Sequence, residues 1–317
     1  MMPLVSVLMP CYNSAQTLPM ALASLLAQTY ENWECVLMDD GSADHPERIA
    51  AATNDSRIRY YRIERNMGRG AARGMAIDKA AGDLVAWLDA DDWYYPEKLR
   101  IQVGVMERER NIAVLSAGVA IIDRLNRLAG TRGRAQGKIP ITLAPMSRPA
   151  MPPFAFASSM VRIGPAREAG FDPAFRLSQD VDFLLRILLR EGHCLLPNVV
   201  YAYTEFQTVS LEKVLDQCRF VRRMFWKHRT RFPYTCGSEI AKSFFKSAVY
   251  RLAFRFGFKD RLIRRRSTPP NSQDLTEFQR AQNIVAGKAR VVFGENGRLD
   301  GVPAGWCQPG NHCHDRV

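Results

Sequence analysis

The feature that most constrains the fold is a short apolar run, residues 85–88, that ends in the carboxylates Asp89, Asp91 and Asp92. Buried strands of α/β proteins read as continuous apolar runs, and ligands bind where such strands end. Three carboxylates this close repel one another unless a positive group lies between them. A divalent cation carrying a diphosphate would supply that charge, because Mg²⁺ and Mn²⁺ prefer oxygen ligands and share them with phosphates. The alternative is a solvated acidic turn that caps the next helix.

Strand and helix patterns alternate through the first ninety residues. Apolar runs predict strands at 4–9, 33–38 and 58–63, and helical spacing predicts helices at 18–27 and 46–53. Strands that alternate with helices at this spacing indicate a parallel, right-handed sheet. The expected fold class is therefore α/β, with a mostly parallel sheet flanked by helices.

The predicted strand tips carry polar side chains on one edge of this sheet. The strand at 33–38 ends in Asp39 and Asp40, and the strand at 4–9 ends at Pro10. Because the carboxyl ends of parallel strands meet at one edge, we expect these residues to lie beside Asp89 and Asp91.

Four motifs now resemble the family 2 inverting glycosyltransferases. They are Val5-Ser6-Val7-Leu8-Met9-Pro10-Cys11-Tyr12-Asn13, Asp39-Asp40-Gly41-Ser42, Asn66-x-Gly68-x-x-x-x-Arg73 and Leu88-Asp89-Ala90-Asp91-Asp92. The resemblance covers about residues 4–210. It implies a GT-A fold, a sandwich that binds a nucleotide-diphospho-sugar, and a divalent cation, Mn or Mg, as cofactor.

The resemblance also assigns roles to single residues. The expected donor-nucleotide contacts are Pro10, Tyr12, Asn13, Asp39, Arg73 and Asp89. Asp39 would accept a hydrogen bond from the base N–H, which suits an acceptor-only carboxylate. Arg73 would approach the diphosphate or order the acidic loop. Asp89 and Asp91 would hold the metal, with Asp89 nearer the ribose or sugar, and Asp92 would be structural. Without the resemblance, Tyr12 would be a core residue, Arg73 a surface charge and Asp39 a turn former.

Asp180 matches the catalytic base of the family, in the segment 178–183 that precedes a predicted helix through Arg190. An inverting transfer needs one base to deprotonate the acceptor hydroxyl as it attacks the anomeric carbon. The alternative is that Ser178 or Asp180 only caps the helix. The segment departs from the family pattern in having Gln179 where an acidic residue usually precedes the base.

Two further departures concern the diphosphate. Gly74 replaces the usual Asn after Arg73, and 201–205 replaces a segment that usually carries Arg or His. These departures put the contacts of a lid in doubt. The glycine-rich stretch 68–74 also resembles a dinucleotide-binding loop, but such a loop should directly follow the first strand. The first turn here lacks glycine, so we expect these glycines to serve close loop-to-helix packing.

The net charge of +12 belongs to one segment, since 211–266 holds 16 Lys+Arg against 4 Asp+Glu. Helical spacing predicts amphipathic helices at 211–231 and 240–258, in which aromatic residues alternate with cations. An anionic membrane surface, packing on the first domain and nucleic acid remain open as partners of this segment. No apolar run is long enough for a membrane span, and no signal peptide is recognised.

The expected organisation is a GT-A catalytic domain at 1–210, a basic helical appendage at 211–266 and a disordered tail at 267–317. Cys307, Cys313 and the neighbouring histidines could bind a soft metal, but their single cluster favours a plain tail. Seven scattered cysteines indicate a reducing compartment rather than a disulfide framework.

The expected activity is sugar transfer, with a UDP-sugar favoured as donor, to a lipid-linked or polysaccharide glycan. The expected location is the cytoplasm, including the cytoplasmic face of the inner membrane, in bacterial envelope polysaccharide synthesis. The alternatives are a sugar-phosphate nucleotidyltransferase and a non-catalytic scaffold. The first would show a Gly-rich, basic loop after the first strand, which Pro10–Asn13 is not.

Overall fold

The computed structural model describes residues 2–123, 125–172, 175, 177–204, 210–258 and 267–294. Its strands are β1 (Val5–Cys11), β2 (Trp33–Asp39), β3 (Ile58–Arg62), β4 (Leu84–Trp87), β5 (Trp93–Tyr94), β6 (Ile112–Ile122), β7 (Leu128–Arg132), β8 (Ile141–Leu143), β9 (Met160–Arg162) and β10 (Gly192–Tyr203). The helices are α1 (Leu18–Leu26), α2 (Pro46–Ala52), α3 (Arg69–Lys79), α4 (Lys98–Arg108), α5 (Ile163–Ala169), α6 (Gln179–Leu188), α7 (Leu211–Lys227), α8 (Pro233–Arg255) and α9 (Ser272–Phe293).

The strands form one sheet in the order β3-β2-β1-β4-β9-β6-β10-β5, with β7 added beside β6 and β8 beside β10. The four strands β3, β2, β1 and β4 are parallel, as the alternation of elements predicts. Strand β9 runs antiparallel between β4 and β6, so the whole sheet is mixed. In the register, Cys11 pairs with Asp39 and Leu8 with Trp87. The polar tips of β1, β2 and β4 therefore lie side by side.

The sheet is buried on both faces, which explains why its strands read as continuous apolar runs. All seven residues of β1 are buried, with Val7 and Met9 in the apolar cluster on one face and Leu8 in the cluster on the other. On the second face, Trp87 packs against Phe156 at 4.6 Å between ring centroids and edge-on against Phe183 at 5.5 Å. This packing fixes the end of β4, and with it the start of the acidic loop.

A lysine lies inside this core. Lys98, in the first turn of α4, is fully buried, donates to the Gln102 Oε1 and lies 4.4 Å from the centre of the Tyr94 ring. Burial lowers the pKa of Lys98 to about 7. In the unfolded chain the amine keeps its usual pKa of 10.5, so the unfolded state binds more protons between these two values.

We therefore expect Lys98 to contribute a rise of about 2 kcal/mol in the free energy of unfolding between pH 7 and about 8.5, which the ionisation of thiols in the unfolded chain opposes equally in the wild type and in a Lys98 variant. The Lys98→Met variant should lose this rise, because methionine fills the same space without a proton to bind. Urea unfolding at four pH values measures both proteins. A rise of equal size in the variant would contradict the assignment to Lys98.

The C-terminal part corrects one prediction. The tail expected to be disordered from residue 267 contains the helix α9, which packs against α1 and places Phe278, Ala281 and Val285 in the core. Asn271 and Asp274 form a reciprocal capping box at its start. The polar composition of the whole tail concealed the helical spacing of these few apolar residues. Residues 295–317, with the Cys/His cluster, lie outside the described residues.

The two predicted basic helices are present as α7 and α8, which pack on each other. Met224 and Phe225 of α7 join Cys236 of α8 and contact Phe175 and Leu185 beside and within α6. The basic residues 259–266 lie outside the described residues. None of the described helices is long and apolar enough to cross a membrane.

Candidate active site at the sheet edge

The first loop after β1 is tied to the loop after β2. The Asn13 side chain, in a left-handed backbone conformation with φ of 48°, accepts a hydrogen bond from the Ala43 N–H at 2.9 Å. The Asn13 N–H donates to the Ser42 Oγ at 2.9 Å. Asn13 thus orders the two loops, while the Tyr12 side chain beside it is 49% exposed. Pro10 is buried at the strand end. Tyr12 is therefore the open surface of this loop.

Asp39 is fully buried and its carboxylate already has three donors. The Ser42 N–H donates to Oδ1 at 2.9 Å, and both Tyr60 and Arg62 donate to Oδ2, at 2.6 and 3.0 Å. The sequence predicted that Asp39 accepts from a nucleobase, but it did not predict these two partners from β3. A base that reaches Asp39 must do so beside Arg62, whose side chain is 46% exposed.

Asp40 anchors the next loop. Its two carboxylate oxygens accept hydrogen bonds from the N–H groups of Met67 and Gly68, at 2.7 and 2.8 Å. Gly68 has a φ of 91°, a backbone conformation that glycine adopts without strain, and α3 begins at the next residue. The predicted role of the glycines in close packing applies only to Gly70, which lies beside Gln179, since a side chain at Gly68 or Gly74 would meet open space.

Two arginines of α3 reach the acidic loop. Arg73 is buried, donates to the Asp89 Oδ1 at 2.8 Å, and lies 4.6 Å from the centre of the Phe156 ring. Arg73 therefore contacts the acidic loop, as one of its two predicted roles requires, and its approach to a diphosphate stays a prediction. Arg69, one turn earlier and 62% exposed, lies 3.9 Å from the Asp89 Oδ2. Arg69 is therefore the more accessible cation beside the carboxylates.

The carboxylates of Asp89, Asp91 and Asp92 converge, with oxygen atoms within 4.8 Å of one another. Burial raises the pKa of Asp89, but Arg73 and Arg69 outweigh it and hold that pKa below its usual value. The Asp91 side chain reaches the surface, and its pKa is raised, first by desolvation within the crowded acidic loop and then by the charge of Asp89. Asp89 is thus neutralised by arginines, whereas Asp91 carries a charge that the folded chain disfavours.

Asp92, which the sequence predicts to be structural, is hydrogen-bonded to the end of β10. It is buried, accepts from the Tyr201 hydroxyl at 2.8 Å and from the Thr204 N–H at 2.9 Å, and its pKa is raised well above the usual value, first by burial and then by Asp91 and Asp89. The Thr204 hydroxyl donates to the Asp91 carbonyl at 3.1 Å. The end of β10 therefore holds the acidic loop from the side opposite α3.

The donor set fits a hard divalent cation. Three carboxylates meet at one point, the group is oxygen-only, and the exposed Asp91 faces outward with a raised pKa that a cation would reverse. Since both Asp92 oxygens have hydrogen-bond donors and one Asp89 oxygen is bound by Arg73, Asp91 is the ligand best able to bind. The two predicted metal ligands, Asp89 and Asp91, therefore differ in how readily each could bind a cation.

The structure brings Asp180 to the same edge. It lies in the first turn of α6, half-buried, and its charge adds to those of Asp89 and Asp91 in raising the pKa of Arg69. The neighbouring Gln179 side chain packs against the start of α3 at Gly70. Ser178 precedes the helix with a φ of 59° and makes no side-chain cap, whereas the Asp180 carboxylate accepts a hydrogen bond from the Val181 N–H at 2.9 Å, so of the two predicted capping residues only Asp180 bonds to the first turn.

Asp182 holds the first turn of α6 in place through ion pairs. It is buried, accepts from Arg186 at 3.0 Å and from Lys227 of α7 at 3.3 Å, and Lys227 also contacts Asp172. Arg186 in turn donates to the Gly170 carbonyl at 2.8 Å. The appendage helix α7 is therefore joined by charge to the helix that carries Asp180.

Sequence reasoning missed Tyr60, Arg62, Arg69 and Phe156 at this site. Arg69 stood in the glycine-rich stretch, where attention to its spacing of four from Arg73 would have placed both on one face of a helix. Tyr60 and Arg62 alternate on β3, which puts both side chains on the same face as Asp39 next door. Phe156 lies in an irregular segment and gave no signal.

Residues 6–163 match the family model described as glycosyl transferase family 2. The chain is 36% identical over 127 residues to UDP-Glc:alpha-D-GlcNAc-diphosphoundecaprenol beta-1,3-glucosyltransferase WfgD of Escherichia coli, covering 40% of this chain and 49% of that protein. It is 40% identical over 124 residues to an uncharacterized glycosyltransferase of Rickettsia felis, covering 38% of this chain and 20% of that protein. The chain thus spans less than half the length of these relatives.

Among solved structures, that of residues 1–349 of S. aureus TarS in complex with UDP-GlcNAc is similar, with a TM-score of 0.59 at 19% identity. The similarity covers 76% of this chain and 71% of that chain. Together with the sheet topology, it confirms the predicted GT-A fold.

Proposed function

Since this chain belongs to glycosyl transferase family 2 through its residues 6–163, we propose that it moves a hexose from a nucleotide-diphospho-sugar to a hydroxyl group of a glycan, with inversion at the anomeric carbon. The observation that carries the proposal is the convergence of Asp89 and Asp91 with Arg69 at the carboxyl ends of the strands, beside the first turn of α6, where Asp180 lies and Gln179 packs on Gly70. These residues supply an anionic pair for a cation, a positive side chain for a diphosphate, and a separate carboxylate for a proton.

The proposed reaction is a single displacement. The acceptor oxygen forms a bond to the anomeric carbon, while the bond from that carbon to the donor phosphate breaks and its electron pair leaves with the nucleoside diphosphate. Asp180 accepts the proton of the acceptor hydroxyl. Arg69 offers positive charge to the departing diphosphate, and Arg73 keeps Asp89 ionised and in place. Bound at Asp91 and Asp89, a divalent cation would supply further positive charge to the leaving group.

The donor is proposed to be a UDP-sugar. The S. aureus TarS structure contains UDP-GlcNAc, and the name of the E. coli relative gives UDP-Glc as its donor. In this chain, the exposed Tyr12 ring beside Asn13 would contact the nucleobase. The Asp39 carboxylate, which is bound by Arg62, would accept a hydrogen bond from the nucleobase. The acceptor is proposed to be a lipid-linked or polysaccharide glycan of the bacterial envelope, since the E. coli relative is named for a diphosphoundecaprenol acceptor.

The nucleotidyltransferase alternative is not favoured, because residues 6–163 match glycosyl transferase family 2. The first loop also lacks the glycines and cations that a nucleotidyltransferase would need. A non-catalytic scaffold would keep the fold, with or without donor binding, and would transfer no sugar. Donor binding and turnover therefore separate the proposal from the scaffold.

The test is isothermal calorimetry of UDP and of GDP, each with and without Mn²⁺. We expect UDP to bind with Mn²⁺ and to bind at least tenfold more weakly without it, because the cation joins the carboxylates to the diphosphate. GDP should bind more weakly than UDP under both conditions. The matched control for substitutions of the site carboxylates is Asp78→Asn. Asp78 is an exposed carboxylate in the last turn of α3, far from the first turn at Arg69.

Binding of neither nucleotide to protein with intact far-UV circular dichroism would overturn the donor site. Binding of UDP without hydrolysis or transfer from any UDP-hexose, in the presence of envelope glycan acceptors, would favour the scaffold.

A further inference from the structure

Helix α8 buries one face against α7 and exposes large apolar side chains on the opposite face. One face holds Cys236, Ser243, Ser247 and Tyr250, which are buried in the contact with α7. These positions recur at intervals of three, four and seven residues, as expected for one side of a helix. A helix of a small appendage needs only one such face for packing, so the opposite face needs a separate explanation.

The opposite face carries four large, exposed apolar side chains, the last of them at the residue that caps the helix. Tyr234, Phe245, Leu252 and Phe256 are separated by eleven, seven and four residues, which returns each of them to the same side. Their exposed fractions are 92%, 74%, 57% and 63%. At about 1.5 Å per residue they mark a stripe of roughly 33 Å along the helix. We call these four residues the outer stripe.

Positive charges flank the outer stripe. Lys242, Arg251 and Arg255 are exposed on either side of it. On the neighbouring helix, Trp226 is 57% exposed and the Arg229 guanidinium lies 4.1 Å from the centre of its ring. Residues 211–258 hold 11 Lys+Arg against 3 Asp+Glu. Helices α7 and α8, which we call the hairpin, therefore combine the apolar outer stripe with a strongly basic surface around it.

We propose that the outer stripe of α8 docks on the surface of an anionic lipid bilayer, with the helix lying in the plane of the interface. Apolar and aromatic side chains enter the boundary between headgroups and acyl chains, and the flanking cations contact the anionic headgroups. The helix is not long and apolar enough to span, in keeping with a position on the surface. This proposal goes beyond sugar transfer and does not depend on it.

Charge favours the bilayer over a second copy of this chain. Two hairpins meeting at their outer stripes would bring two strongly basic surfaces together, and like charges at close range repel. An anionic lipid surface instead complements the basic surround along the whole stripe.

Docking in this way would also orient the candidate active site. Lys227 at the end of α7 bonds to Asp182 of α6, and Asp180 is in the same helical turn as Asp182. Met224 and Phe225 pack the hairpin on Phe175 and Leu185. The hairpin is thus joined to the catalytic helix by an ion pair and an apolar contact, so a membrane-bound hairpin holds that helix at a fixed place relative to the lipid surface.

The test is flotation of the full chain with vesicles of phosphatidylcholine alone and of phosphatidylcholine with about 30% phosphatidylglycerol, an anionic lipid that gives the surface a negative potential. We expect co-flotation only with the anionic vesicles and loss of binding at high salt. The Phe245→Ser/Leu252→Ser variant, and separately the Arg251→Gln/Arg255→Gln variant, should each reduce the partition coefficient roughly tenfold.

The Val291→Ser variant is the matched control, because Val291 of α9 is 83% exposed and outside the hairpin. Circular dichroism checks that each variant is folded. Equal recovery with neutral vesicles, absence of flotation, or unchanged binding of the serine variant would overturn the proposal. A dimer that light scattering detects, and that the serine variant converts to monomer while vesicles fail to bind the wild type, would assign the stripe to a second copy instead.

Discussion

The Asp180→Asn variant is expected to lose about 10²- to 10⁴-fold in turnover, the contribution of a general base that deprotonates the attacking hydroxyl. Asparagine keeps the size and the hydrogen-bonding reach of the side chain but cannot accept the proton. Asp180 is half-buried in the first turn of α6, where its neighbour Asp182, and not Asp180 itself, makes the ion pairs that hold the helix. The substitution should therefore leave the fold intact.

The measurement is the rate of UDP release with a saturating UDP-sugar and acceptor, together with the affinity for UDP by calorimetry. We expect kcat to fall and UDP affinity to change less than threefold, because the base contacts the acceptor and not the nucleotide. Asp78→Asn should leave both unchanged. If Asp180→Asn lost donor binding and turnover together, Asp180 would belong to the donor site, and another residue would have to serve as base.

A comparison of Asp89 with Asp39 shows which properties of the site the sequence predicts. The location of both at neighbouring strand tips follows from apolar runs that end in carboxylates, because a strand buried on both faces has no other place for them. Their electrostatic states do not follow. Asp89 is paired by Arg73 and Arg69 from a helix, and Asp39 is covered by Tyr60 and Arg62 from the adjacent strand. Such partners depend on the packing of side chains between elements.

The C-terminal region shows the same limit. Periodicity predicted α7 and α8, since a helix that packs on one side repeats its apolar residues regularly. It did not predict that a row of apolar residues on α8 is left exposed opposite α7, because a single sequence does not say which side α7 covers. It also missed α9, whose capping box and four core residues lie in a polar stretch that is typical of a disordered tail.

The Asp91→Asn variant is expected to lose the stimulation of UDP binding by Mn²⁺, a drop in affinity of about 10- to 100-fold when Mn²⁺ is present. Without Mn²⁺ its affinity should equal that of the wild type. The reason is that the three carboxylates differ in their partners. Arg73 binds Asp89, and Tyr201 and Thr204 bind Asp92, whereas Asp91 faces outward. Calorimetry with and without Mn²⁺ on both proteins measures the difference.

Thermal unfolding of the metal-free proteins distinguishes a metal ligand from a structural carboxylate. Desolvation and the charge of Asp89 raise the pKa of Asp91, so its ionised form opposes folding at neutral pH, and the Asn variant should unfold at the same temperature as the wild type or slightly higher. Asp89→Asn should behave in the opposite way, with a lower unfolding temperature, because it leaves the buried Arg73 without its carboxylate. A carboxylate whose removal costs ligand affinity and no stability is placed for a cation that binds from outside. Loss of stability in Asp91→Asn comparable to that in Asp89→Asn would show instead that Asp91 serves the loop, and the metal would have to be sought elsewhere.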